Sequence, residues 1–135
     1  VLEGDAGRAE LERARILAGV PAMGSELGPD TIPAAAGVVE GAVSFIKGCY
    51  TGQELVARMN SRGNRTPTRL VSLSGTGPVP EPGIELAHDG QERATVTSAV
   101  ADHDAWLGLG YLHRSVETPA ELDDRGEIVV AVDRP

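Results

Sequence analysis

An α+β chain is expected, with short helices and loops first and a small antiparallel β-barrel or sandwich second. Three observations carry that expectation. The 17 glycines and 9 prolines among 135 residues spread turns along the whole chain, which favours short elements. Helix-forming stretches occur only before Pro67, and from there on short β-rich runs alternate with turns containing Gly, Pro or Asp. Aromatic residues make up only 3% of the chain, so its core has to be built from Val, Leu, Ile and Ala.

Residues 8–18 read as a helix of good helix formers. Leu11 and Arg15 stand at i and i+4, and Glu10–Arg13 and Glu12–Arg15 are i,i+3 ion-pair candidates. Gly19 and Pro21 stop that helix. A Gly- and Pro-rich loop, an Ala-rich turn with little structure of its own and a short strand at 42–46 follow, with Val43 and Phe45 on one face. Thr51-Gly52-Gln53-Glu54 is a capping box: the Thr hydroxyl meets the Glu54 backbone N–H, and the Glu carboxylate reaches back to the Thr N–H. It opens a helix over 51–60 with Leu55, Val56 and Met59 as its apolar stripe, ended by residues 61–64. Runs at 69–74, 84–87, 93–100, 107–114 and 128–132 read as strands; five or six of them make a barrel or sandwich. The division therefore falls between residues 1–65 and 66–135.

Bulk properties exclude several classes. No apolar run approaches the roughly 20 residues that span a bilayer, and the first residues have neither the basic nor the apolar region of a secretory signal. A first residue of Val rather than Met suggests a fragment or an internal start. One cysteine allows no internal disulfide and makes the cytoplasm the default compartment. The net charge of −8 is uneven: Lys47, Arg58, Arg62, Arg65 and Arg69 face only Glu54 in their segment. That strip is either solvated charge or a seat for an anion, and the acidic remainder argues against autonomous nucleic-acid binding. His88, His103 and His113 have Asp neighbours but no metal-ligand spacing. Trp106 and Tyr111 are expected to pack in the barrel. There is no phosphate-binding glycine loop, no dinucleotide fingerprint and no nucleophile elbow.

Cys49 carries the sharpest chemistry. It lies two residues before the Thr51 N-cap, where the positive end of a helix favours a thiolate. Lys47 adds a cation, and Gly48 and Gly52 let a ligand approach the backbone closely. A lone cysteine without these neighbours is usually a small buried hydrophobe. Arg58 and Arg62, at i and i+4, can grip a carboxylate or phosphate; equally, Arg58 can pair with Glu54.

The run Lys47-Gly48-Cys49-Tyr50-Thr51-Gly52-Gln53-Glu54, followed by Arg58, resembles the signature of YgfZ-type proteins in the YgfZ/GcvT superfamily. The other branch of that superfamily is the aminomethyltransferase of the glycine cleavage system. The flank from Arg15 to Pro21, Glu26, Pro33, Ser44-Phe45, Arg69-Leu70, residues 96–99 and Leu109-Gly110-Tyr111 resembles it too. The resemblance implies that residues 1–65 are the last portion of a folate-binding domain and residues 66–135 a C-terminal β-barrel. It implies a cytoplasmic, tetrahydrofolate-binding accessory protein that supports iron–sulfur cluster assembly or repair and tRNA modification. Its partners would be folate and iron–sulfur enzymes or assembly proteins, with neither nucleic acid nor membrane bound directly. Cys49 would be the key functional residue, with Lys47, Tyr50, Gln53 and Arg58 on the folate side of an incomplete pocket. Two alternatives stand beside it: a tetrahydrofolate-dependent aminomethyltransferase, and a barrel interaction module without folate. Leu17 stands where the aminomethyltransferase branch has a folate-contacting Glu, which favours the YgfZ type. Ala94 replaces a common Gly and touches only local backbone detail.

Overall fold

The structure, a computed structural model, describes residues 4–29, 31, 33–37 and 66–135. Helix α1 spans Gly4–Leu17. Gly19, at φ +68°, ends it by donating its N–H to the Ile16 carbonyl, while Val20 donates to that of Arg15, both at 3.0 Å. This paired closure needs a left-handed residue, which is why glycine stands there. Of the two ion pairs expected on α1, Glu12–Arg15 forms. Arg13 instead meets Asp102 at 2.7 Å, because α1 lies across the strand that carries that carboxylate. Leu11 is exposed, and Ile16 is the buried anchor of the helix. The Ala-rich turn forms a one-turn helix, α2, at Pro33–Ala36, with Ala35 and Ala36 buried. The strand expected at 42–46 and the capped helix expected at 51–60 lie outside the described residues.

Six antiparallel strands follow: β1 Thr68–Thr76, β2 Glu85–His88, β3 Gln91–Asp102, β4 Ala105–His113, β5 Ala120–Asp124 and β6 Glu127–Val132. They form a closed barrel in the order β1-β4-β3-β2-β5-β6. The choice between barrel and sandwich is decided by β1, which pairs with β4 along its whole length and with β6 from Ser72 to Gly75. β5 is the strand that sequence pattern alone does not reveal. Ala-Glu-Leu-Asp-Asp has little β propensity, yet Ala120 and Leu122 alternate inward and are buried. Two hairpins turn on two residues at positive φ: Asp89-Gly90 joins β2 to β3 and Arg125-Gly126 joins β5 to β6.

The lumen is filled by Val71, Leu73, Leu86, Val96, Trp106, Leu112, Leu122 and Val129 among others. Its narrowness explains Leu-Gly-Leu-Gly on β4. A Cβ on Gly108 would lie 2.5 Å from the Ser98 carbonyl oxygen, and one on Gly110 would lie 2.6 Å from that of Thr95. Trp106 was expected inside and is there, 2% exposed, lying over Gly75 and Gly108. Tyr111 was expected in the same packing but stands on the outer face with Leu109. That face is covered by α1, whose Ile16 packs with Leu70 and Leu109 in a second, smaller core.

Candidate functional site

The seam between the N-terminal segment and the barrel is built around Glu26, whose side chain is fully buried. Burying a carboxylate is costly unless donors surround it, and four do. Arg15 Nη1 donates to Oε2 at 2.9 Å and the Ala22 N–H at 3.0 Å. Thr97 Oγ1 lies 2.8 Å from Oε1, and the Ser98 hydroxyl donates to the same oxygen. Neighbouring strand residues ordinarily point to opposite faces. Here the register of β3 against β4 shifts between Val96 and Ser98, a bulge that turns Thr97 and Ser98 onto one carboxylate.

Arg15 is saturated in turn. A guanidinium has five N–H bonds, and this one meets five acceptors. Nε reaches Glu12 at 2.9 Å, Nη1 reaches the Val20 carbonyl at 2.7 Å and Glu26, and Nη2 reaches Glu12 and Ser98. The hydrogen bond from Arg15 holds the Glu12 carboxyl below its usual pKa, against the opposing effect of burial. The Glu12 hydrogen bond likewise raises the pKa of Arg15. Tyr111 donates its hydroxyl to the Glu26 backbone carbonyl at 2.6 Å. Burial pushes the Tyr111 phenol up, the Glu26 carboxylate adds to that, and Arg134 opposes it. Arg134 also closes the seam from the C-terminal end, donating to the Gly19 carbonyl at 2.6 Å.

Beside this network lies an open cleft of about 390 Å³, lined by Gly28, Pro29, Thr31, Ala35, Pro67, Thr68 and Tyr111. That volume falls within the roughly 300–1,000 Å³ of small-molecule sites. Its described lining is mostly apolar, with one phenol and two threonines. Ala35 of α2 forms one wall of the cleft, and Pro67 and Thr68 at the start of β1 form another.

No protein-family model matches the chain. A tRNA-modifying protein YgfZ from Klebsiella pneumoniae (strain 342) is 37% identical over 123 residues, covering 84% of this chain. An uncharacterized protein from Haemophilus influenzae is 37% identical over 103 residues, or 71% of the chain. The crystal structure of a glycine cleavage system aminomethyltransferase T from Bartonella henselae superposes with a TM-score of 0.75 over 96% of the chain, at 23% identity. This is a C-terminal region of the YgfZ/GcvT type. The YgfZ/GcvT-type chain spans 37% of the length of each of the two curated relatives and 40% of the Bartonella chain. Its closed six-stranded barrel is that of the GcvT C-terminal type.

The residues singled out in the YgfZ-type motif, Lys47, Cys49, Tyr50, Gln53 and Arg58, all lie outside the described residues, as does the capping box. Of the basic strip only Arg69 is described. It is tied to the barrel's own loop, donating to the Val116 carbonyl at 3.0 Å. His88, His103 and His113 enter no group of three potential metal ligands among the described residues. Leu17 is half-exposed at the end of α1. That Glu26 meets its bulge partners escapes sequence reasoning, because their contacts cross 71 and 72 residues of chain. The signal the sequence does offer is the resemblance, which includes Arg15, Glu26 and residues 96–99 without saying that they meet.

Proposed function

We propose that this chain is the C-terminal part of a tetrahydrofolate-binding accessory protein of the YgfZ type. It acts in the cytoplasm in support of iron–sulfur cluster assembly or repair and of tRNA modification. Cys49 is its reactive thiol, and Lys47, Tyr50, Gln53 and Arg58 face the folate. One observation carries the reading: the eight-residue run from Lys47 to Glu54. Supporting it is the 37% identity to a protein described as tRNA-modifying. The cleft adds further support, since its apolar walls and Tyr111 ring suit the flat face of a pterin. The described lining holds no cation for the carboxylates of folate, a role left to Lys47 and Arg58. The aminomethyltransferase reading is weaker, because Leu17 offers a pterin no hydrogen-bond acceptor.

The test uses the full-length protein. Cys49→Ser abolishes complementation of a strain lacking the accessory function, while protein level and melting temperature stay unchanged. Complementation that survives intact removes the thiol from the mechanism. Calorimetric titration with tetrahydrofolate gives weak or no binding to the 135-residue chain and clear binding to the longer protein. Absence of binding to both leaves the barrel interaction module in its place.

A further inference from the structure

The outer face of β6 carries a row of exposed apolar side chains. Ile128, Val130 and Val132 are 58%, 37% and 42% exposed, while Val129 and Ala131 between them are buried in the lumen. The three β-branched side chains form a row about 13 Å long at the usual strand rise. Among the described residues, helix α1 packs chiefly on β3 and β4, and α2 on β1. Across the register, Glu121 of β5 stands opposite Val130 and Asp123 opposite Ile128. Ile128 also borders a groove of about 500 Å³, rimmed by Asp89, Glu117, Glu121 and Asp123, with Pro119 in its wall. No Lys or Arg is among its described lining residues.

We propose that this face docks a segment of another protein that carries aliphatic side chains flanked by Lys and Arg. Single exposed aliphatic residues are ordinary; a row of three beside a carboxylate-rimmed groove is a surface with complementary apolar and charged parts. The charge selects the occupant. A second copy meeting the first about a two-fold axis perpendicular to the strands would set the same carboxylates against each other, and in either orientation its own row brings no Lys or Arg to meet the rim. Anionic lipid and nucleic acid are repelled by the same rim. The closed barrel has no free edge, so the partner cannot join as an added strand and must be recognised through side chains. The row and groove are small beside the roughly 800 Å² per partner of a standard stable interface, so the contact is transient and salt-sensitive.

The probe is a short synthetic peptide with Ile and Val alternating with Lys, titrated into the isotope-labelled chain and followed by NMR. Shifts are expected at Ile128, Val130, Val132, Glu121 and Asp123, with affinity falling as salt is raised. Replacing Glu121 and Asp123 together by Lys weakens binding about tenfold, as loss and reversal of rim charges does. Ile128→Ser weakens it several-fold. Both variants alter exposed side chains, and an unchanged melting curve confirms that they remain folded. Equal binding by the peptide with Glu in place of Lys overturns the proposal, as does a peptide that perturbs other residues instead. Concentration-dependent dimerisation in sedimentation, abolished by Ile128→Ser, assigns the face to a second copy and also overturns it.

Discussion

The barrel lumen and the seam beneath α1 are both buried, yet they are held by opposite physics. In the lumen Val71, Leu73, Val96, Trp106, Leu112 and Val129 exclude water through shape alone. Stability there grows with apolar area, and each void or clash is felt locally. In the seam, one carboxylate and one guanidinium are each saturated by directed hydrogen bonds, and the nearby apolar contact is a small cluster around Ile16. A lumen position answers to volume, whereas a seam position answers to whether each charged or polar group keeps its partner. The lumen makes the barrel; the seam fixes where residues 20–26 lie against it.

The sharpest way to break this contrast is Glu26→Ala, which takes one of two counter-charges from the largely buried Arg15, leaves the Thr97 and Ser98 hydroxyls without their carboxylate and is expected to cost about 3–5 kcal/mol in urea unfolding. Converting the pair together, Arg15→Met with Glu26→Leu, should recover most of that loss. A double variant as unstable as the sum of the singles would show that the pair does not behave as a unit. Trp106→Ala is expected to cost a similar amount, about 3–5 kcal/mol, through the cavity it leaves. Here no second substitution on the seam restores it. Gly110→Ala inserts a methyl against the Thr95 carbonyl and the Leu73 side chain, and about 1–3 kcal/mol is expected from overpacking. Tyr111→Phe removes one hydrogen bond to the Glu26 carbonyl, worth about 1 kcal/mol, with the melting temperature as readout.

Acidity separates the regions with the smallest effect. The Glu12 pKa is lowered in the folded chain from its ordinary 4.5. Its contribution is therefore present above that pH and is lost as pH falls through the lower folded value. Glu12→Gln should flatten the acid limb of the stability profile. Tyr111 behaves in the opposite sense: its pKa is raised from 10.0, so its contribution holds below that pH and is lost as pH rises beyond it. Tyr111→Phe should flatten the alkaline limb. Lumen substitutions should shift both limbs equally, and a Trp106→Ala profile that changes shape would blur the distinction.

Local chemistry was legible where the signal was local. The stop of α1 followed from Gly19 and Pro21, and five strands followed from β-rich runs between turn residues. β5 escaped because its stability comes from neighbours: Ala120 pairs with Ala131 and Leu122 with Val129, and nothing in Ala-Glu-Leu-Asp-Asp itself favours extension. The Glu10–Arg13 expectation failed because helix spacing sets only which residues can meet, and Asp102 arrived from across the fold. The candidate site divided in the same manner. The motif around Cys49 is contiguous and can be read directly, whereas the Glu26 hub joins residues up to 85 apart.

By itself, then, the amino-acid order determined the α+β class, the turn positions and the run from Lys47 to Glu54, since each depends on residues adjacent in the chain. Only the tertiary structure decided that the strands close into a barrel and that Tyr111 faces outward. It alone placed a buried carboxylate where helix, loop and β-bulge meet. Those outcomes depend on which surfaces exclude water together and which donors converge on one charge. Neither quantity exists until distant parts of the chain are in contact.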